Sequence, residues 1–285
     1  MELILSDTMG YCGGVSRAIS LVERAIIEAR EKKLPVYSLG KVIHNEQVCM
    51  SFADQGLKTI FSPDGHEPGL VVLRAHGVPD KLRQDFNRAG FTLIDATCPV
   101  VARNLHLIGK KCLEYSLIVI GHENHPETLA MQGVEVDGKI CQTHLISIPE
   151  QVAHLPLDQA YAVFVQTTFD RILWNDIREQ LQMLQKKGVE IVFMNEVCPS
   201  SVDRREAAIR LCKKCDAIVV IGGKESANTK ALYALILQQG KKAWHIETED
   251  EVTEEMKQYD ILGITAGAST PHSIIESVQA KLQEE

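Results

Sequence analysis

The feature that most constrains this chain is a recurrent unit. Short apolar runs rich in β-branched residues break off abruptly at glycine, threonine, histidine or asparagine, and a helical pattern follows each break. The clearest runs are "LVVLRAHG", "FTLIDATCP", "SLIVIGHENHPE", "AVFVQTTFD", "VEIVFMNEVCPS", "AIVVIGGKESANT" and "ILGITAGAST". Strands that alternate with helices of about 10–15 residues build βαβ units and therefore parallel sheets. In such sheets ligands gather beyond the carboxyl ends of the strands. Every polar cluster in these runs stands at such an end.

The unit also recurs on a larger scale. Cys98 in "DATCP" and Cys198 in "NEVCPS" stand 100 residues apart, and Cys12 in "GYCGGVSRAI" lies 86 residues before Cys98. Each of the three follows a strand and opens a helical pattern. The spacing predicts an α/β fold of three similar lobes with mainly parallel sheets, over residues 1–97, 98–196 and 197–285. Each lobe is expected to offer one cysteine from an equivalent loop.

Bulk properties exclude several classes. No apolar run approaches the roughly 18 residues of a membrane span. The net charge of −8 argues against broad binding to nucleic acid or to a membrane surface. The start, "MELILSD", has neither a basic n-region nor a long apolar stretch, so a cytoplasmic location is expected rather than secretion. In that setting the eight cysteines point to metal or redox chemistry more than to a disulfide framework.

The cysteines sort by context. Gly13 and Gly14 follow Cys12, while Pro99 and Pro199 follow Cys98 and Cys198, and proline suits a first helical position. The positive end of a helix dipole favours a thiolate, which is the metal-ligating form. Three thiols in matched positions suggest one shared site. Three thiolates suit zinc with an open position or an iron–sulfur cluster with one iron lacking a protein ligand, and spacing does not separate the two. The pair in "CKKC", Cys212 and Cys215, falls inside a helical pattern with no second pair, and reads as a packed or half-exposed helix face. Cys49, Cys112 and Cys141 have no glycine turn or polar cluster and read as filler.

The remaining strand ends carry polar groups, each of which taken alone could be a helix cap or a core residue. They are His44 in "VIHN", His76 in "AHGV", His125 and Glu127 in "GHENHPE", Thr167 in "QTT", Ser226 and Asn228 in "GGKESANT", and Ser269 in "TAGAST". None forms a nucleotide-binding glycine fingerprint. Glycine turns that carry Ser, Thr and Asn before helices nonetheless aim N–H groups and hydroxyls at one spot. His122 and His125 could form an H-x-x-H metal half-site with Glu127. Alternatively, Glu127 could donate a proton, since a carboxyl among apolar groups is easily kept protonated.

Taken together and in order, these motifs resemble the 4-hydroxy-3-methylbut-2-enyl diphosphate reductase family, over about Gly10 to Pro271. The resemblance implies a cloverleaf of three α/β lobes around a central [4Fe-4S] cluster held by Cys12, Cys98 and Cys198. It implies that His44, His76, His125, Ser226, Asn228 and Ser269 bind a diphosphate. Glu127 would relay a proton and Thr167 would stand near the substrate hydroxyl. The activity implied is reductive dehydroxylation of an allylic diphosphate to two isomeric five-carbon diphosphates, with electrons from a donor such as ferredoxin or flavodoxin.

Two departures stand out. Ala227 replaces the second serine of the family's usual S-S-N. Arg205 replaces the amide of its usual A-T-x-x-R-Q, here Ser200, Ser201, Val202, Asp203, Arg204 and Arg205. They leave open a paralogous iron–sulfur reductase or dehydratase acting on a related anion. A three-thiolate zinc hydrolase or an iron–sulfur sensor would also account for the three matched cysteines.

Overall fold

A strand covered on both faces must be apolar at nearly every position, which accounts for the uninterrupted runs of the sequence. In the computed structural model, which describes residues 1–284, these runs form three four-stranded parallel sheets. The chain begins with β1 (Glu2–Leu5) and α1 (Gly13–Lys32). Then come β2 (Val36–Leu39), α2 (Glu46–Asp54), β3 (Lys58–Ile60), β4 (Leu70–Leu73), α3 (Asp80–Arg88) and β5 (Thr92–Asp95). The middle of the chain forms α4 (Pro99–Lys111), β6 (Ser116–Ile120), α5 (Pro126–Gln132) and a short hairpin of β7 (Glu135–Val136) and β8 (Lys139–Ile140). After it run β9 (Thr143–Ile146), β10 (Tyr161–Val165), α6 (Arg171–Lys186) and β11 (Ile191–Phe193). The remainder is α7 (Pro199–Cys212), β12 (Ala217–Ile221), α8 (Ala227–Gln238), β13 (Lys242–Ile246), β14 (Ile261–Ala266) and α9 (His272–Gln283).

These elements fall into two compact units. The first takes residues 1–16 and 43–54 and the chain from Pro199 onward; the second takes residues 17–42 and 55–198. The second holds two sheets, ordered β3-β2-β4-β5 and β11-β10-β6-β9. In the latter, the two-residue period of a strand splits its side chains between two cores. Ile118, Ile120, Tyr161, Val163 and Val165 pack on one face against Trp174, Ile177 and Leu181 of α6. Leu117, Val119, Ala162 and Phe164 pack on the other against Ile108 of α4 and Met131 of α5. Each fully buried Val, Leu or Ile contributes about 1.5–3 kcal/mol relative to exposure.

The first unit holds one sheet, ordered β1-β14-β12-β13. Val219, Ile221, Leu262 and Ile264 pack against Ile274, Ile275, Val278 and Leu282 of α9. Ile218 and Val220 face Leu211 and Cys212 of α7 and Leu232, Leu235 and Ile236 of α8. Cys215 is buried in the same core, and burial pushes its thiol up to about 11. The "CKKC" pair is thus a packed helix end.

Two expectations change. The strand β1, expected in a lobe of residues 1–97, pairs with β14, Glu2 opposite Ile261, and so belongs to the sheet built from the end of the chain. A strand joins whichever sheet edge satisfies its backbone N–H and C=O groups, and nearness in sequence does not decide that choice. Cys112 and Cys141, read as filler, are joined as a disulfide. Cys112 caps α4 and Cys141 follows β8. Both pack in one core cluster, with Cα atoms 5.7 Å apart, a separation that disulfide geometry accepts. Among the described residues no helix is long and apolar enough to cross a membrane.

Candidate active site

Parallel pairing brings the loops beyond neighbouring strands together. In the second unit, β6 and β10 are neighbours with Ile120 opposite Val165, so "GHENHPE" meets "QTT". His125 is the N-cap of α5, and its Nδ1 accepts from the Glu127 backbone N–H at 3.2 Å. An accepting Nδ1 puts the proton of the neutral ring on Nε2, which can then donate to an anion. The His76 ring stands edge-on to that of His125, 5.5 Å between centroids. The chain turns at once after His76, at Gly77 with φ +78°, where a Cβ would press on Leu105 Cδ1 at 3.0 Å. Only glycine accommodates both the angle and the contact.

Glu127 is 1% exposed. Its Oε1 accepts from the Thr167 N–H at 2.8 Å, and its Oε2 is 2.7 Å from Thr167 Oγ1. Burial pushes the carboxyl up to about 7, although both bonds from Thr167 favour the ionised form. A carboxyl with that balance holds and releases a proton near neutrality. The H-x-x-H metal half-site does not assemble in this loop. Glu127 is committed to Thr167, and His122 is exposed with its ring against Phe169.

Two of the three cysteines stand at helix starts bordering these loops. Cys98 is the N-cap of α4 with Pro99 at the first helical position, and its side chain makes no capping bond. Its N–H donates to Ala75 O at 2.9 Å, and Asp95 Oδ1 accepts from Thr97 N at 2.9 Å, which fixes the turn. The Cys198 N–H donates to Thr167 O at 2.9 Å. One threonine therefore holds the glutamate with its N–H and hydroxyl, and the third cysteine with its carbonyl.

Two residues that support this arrangement escape the sequence reading. Gln166 is fully buried; its Oε1 accepts from His122 N at 3.0 Å and Thr128 Oγ1 at 3.3 Å, and its Nε2 donates to Thr168 Oγ1 at 2.9 Å. Asn195 extends the ladder of β10, accepting from Val165 N and donating to Val165 O, both at 2.8 Å. The signal in the sequence is an amide close to the end of an apolar strand, where a buried polar group must find partners.

In the first unit, β1, β14 and β12 lie side by side, and their loops carry the other residues. The Cys12 N–H donates to Ala268 O at 3.2 Å, and Ser16 N donates to Cys12 O at 2.9 Å to open α1. The glycine that makes the turn is Gly10, with φ +75°. Gly13 already lies in the helix, and a Cβ there would meet nothing within 4 Å. Ser226 caps α8 by accepting from Thr229 N at 3.3 Å, which leaves its hydroxyl proton for another acceptor. Asn228 Nδ2 is buried without a hydrogen-bond partner, an expensive arrangement unless a ligand completes it. Ser269 Oγ donates to His44 O at 3.1 Å, so it must leave that carbonyl before donating to a phosphate. A Cβ on Gly223 would lie 2.6 Å from the same carbonyl. The "GG" of "GGKESANT" thus makes room for the His44 backbone.

Cys12, Cys49, Cys98 and Cys198 are half-buried and lie outside any disulfide, unlike the bonded Cys112 and Cys141 or the core-packed Cys212 and Cys215; Cys49 lies within α2, whereas Cys12, Cys98 and Cys198 stand at helix starts. Each of these three is thus an accessible thiol at a helix start, the kind of donor that suits a thiolate-ligated metal or cluster.

Comparison with known proteins covers nearly the whole chain. A 4-hydroxy-3-methylbut-2-enyl diphosphate reductase from Caldanaerobacter subterraneus subsp. tengcongensis is 34% identical over 288 residues, covering 99% of this chain and 97% of the relative. The protein of the same name from Treponema denticola is 33% identical, with 98% of each covered. The solved structure of the E-1-hydroxy-2-methyl-but-2-enyl-4-diphosphate reductase from Plasmodium falciparum superposes with a TM-score of 0.87 at 27% identity, covering 99% of this chain and 88% of that one. A second structure, of the reductase described as the terminal enzyme of the non-mevalonate pathway, covers both chains fully with a TM-score of 0.75 at 28% identity. Residues 3–283 match the family described as LytB protein, and the chain belongs to that family.

Proposed function

We propose that this chain reduces 4-hydroxy-3-methylbut-2-enyl diphosphate to isopentenyl and dimethylallyl diphosphate, using a [4Fe-4S] cluster held by Cys12, Cys98 and Cys198. The reaction consumes two electrons and two protons: the C–O bond breaks, one proton leaves with the hydroxyl as water, and the other ends on carbon. When bound, the cluster supplies the electrons singly and a Lewis-acidic iron for the departing oxygen.

The chain's own residues supply binding and protons. His44, His76 and His125 bring ring N–H donors to the diphosphate. Ser226 donates its spare hydroxyl proton, Asn228 its unpartnered Nδ2, and Ser269 its hydroxyl once released from His44 O. Such charge-assisted bonds are the strong ones, and in an acidic protein they set the local attraction for an anion.

The observation that carries the reading is the Glu127–Thr167 pair, a carboxyl held at about 7 by burial and bonded to one hydroxyl. When Glu127 is protonated, its O–H donates to Thr167 Oγ1, whose own proton is then free to point at the leaving oxygen. A proton thus passes from carboxyl to substrate through one hydroxyl. Single-electron delivery fits a small redox-protein donor such as ferredoxin or flavodoxin and a reducing, cytoplasmic setting.

The test is an anaerobic assay of the purified protein with the allylic diphosphate and an artificial reductant. A brown protein absorbing near 400 nm that forms both isomers supports the proposal; the wavelength is about that of thiolate-bound iron–sulfur clusters. A colourless protein that binds zinc would sink it. A brown protein inert toward this substrate and active on a related anion would assign it to a paralogous reaction.

A further inference from the structure

Arg204 lies on α7, six residues after Cys198, and is 3% exposed. A guanidinium is costly to bury unless its donors are placed on acceptors. One arm is folded back along its own helix: Nη1 donates to Ser200 O at 2.9 Å and to Ser200 Oγ at 2.5 Å. The other arm leaves the helix, and Nη2 donates to Gly10 O at 2.6 Å.

Gly10 is the left-handed residue that turns β1 into the Cys12 loop. Its position is tight: a Cβ would sit 3.3 Å from Ile275 Cδ1 and 3.4 Å from Thr270 O. The loop is therefore held from two sides, by Arg204 on the carbonyl of Gly10 and by Ala268 O on the N–H of Cys12. We infer that Arg204 is a positioning residue for the Cys12 thiol. It clamps the loop of the first cysteine to the helix that begins directly after the third.

The chemistry of the residue fits this role. Two Nη atoms of one rigid plane address Ser200 on one side and Gly10 O on the other at once, which a lysine ammonium cannot do without giving up the geometry. Ser200 completes the clamp on its helix side, where the family's usual pattern has alanine. The bonds of Arg204 described above go to Ser200 and to the Gly10 carbonyl. Its effect passes through the direction and rigidity of the Cys12 loop.

This inference rests on the cluster reading, but its main test does not need the cluster. In cluster-free, reduced protein, the alkylation rates of Cys12, Cys49 and Cys98 are compared by mass spectrometry for the parent and for Arg204→Met, Arg204→Lys and Ser200→Ala. Cys49 lies in the same compact unit as Cys12 and reports any general loosening. Losing one charge-assisted bond should speed alkylation of Cys12 on the order of tenfold, with Cys49 and Cys98 unchanged. Arg204→Lys should fall between Arg204→Met and the parent, and Ser200→Ala should shift Cys12 only slightly.

In loaded protein the same order should appear in the rate at which a chelator removes iron. If Arg204→Met does not fold, Arg204→Lys carries the test, because the clamp requires both arms. Parental Cys12 reactivity in the folded Arg204 variants, or equal acceleration at Cys12 and Cys49, overturns the inference. A parent protein that never takes up iron refutes the cluster reading instead, and leaves the alkylation result to stand alone.

Discussion

Replacing Glu127 by glutamine should slow the reaction and stabilise the fold, by amounts that depend on pH in opposite ways. The substitution keeps the shape of the site: a glutamine Oε1 still accepts from Thr167 N, and its Nε2 donates to Thr167 Oγ1. What disappears is the ionisable proton. In the folded protein the carboxyl sits at about 7 against an ordinary 4.5, so the folded state binds this proton more tightly than the unfolded chain does. Below pH 4.5 the group is protonated in both states and contributes nothing. As the pH rises from 4.5 to about 7, the parent loses stability, because the unfolded chain ionises freely while the folded carboxyl resists. The shift of about 2.5 units, at 1.36 kcal/mol each, amounts to about 3 kcal/mol above that window.

Glu127→Gln should therefore match the parent near pH 4.5 and exceed its stability by about 3 kcal/mol at pH 8. Urea unfolding of both proteins, in the same state of cluster loading, measures the gap. Turnover behaves differently: positioned acid catalysis is worth roughly 10²–10⁴-fold, and that factor should be lost at neutral pH with colour and substrate binding retained. Parent turnover should itself fall as pH rises through about 7, when the acid form is depleted. Stability curves that run parallel for parent and variant, or near-normal turnover in Glu127→Gln, would refute the assignment of Glu127 as a buried proton source.

Three further outcomes follow from particular contacts. Cys12→Ser, Cys98→Ser and Cys198→Ser should each bleach the protein and abolish turnover, whereas Cys212→Ser and Cys215→Ser, in the core beneath α7, should keep both; iron content and visible absorbance decide. Ala227 opens α8 beside the Ser226 cap, so Ala227→Ser adds a hydroxyl where the family usually has one. It should lower the KM for the diphosphate, the gain being at most about 1.5–3 kcal/mol for a bond to a charged group; an unchanged KM would mean that the position does not reach the ligand. Gly223→Ala places a methyl 2.6 Å from His44 O, and should raise KM through displacement of the His44 backbone while leaving the cluster absorbance intact.

Much of this protein is legible in the sequence by itself. The α/β class follows from apolar runs that end in glycine and hydroxyl clusters, because parallel strands are buried on both faces and ligands collect at their carboxyl ends. The proline after Cys98 and Cys198 marks a helix start, and only three of the eight cysteines carry a matched context. What the sequence could not express is which strand lies beside which. The pairing of β1 with β14 places the Cys12 loop next to Ala268, and nothing local to "MELILSD" encodes that edge.

The state of Glu127 is decided in the same way. A glutamate in "GHENHPE" is an ordinary carboxylate until the fold removes water from it and lays Thr167, 40 residues away, across its two oxygens. Likewise, Cys112 and Cys141 look unremarkable until packing brings their Cα atoms to 5.7 Å, and Arg204 looks like a solvated helix charge until Gly10 O, 194 residues distant, accepts from it. Local chemistry chooses the residues, because propensity and capping act over one or two turns. Burial and long-range hydrogen bonds assign their charges and partners, because both depend on which surfaces the tertiary structure takes out of water.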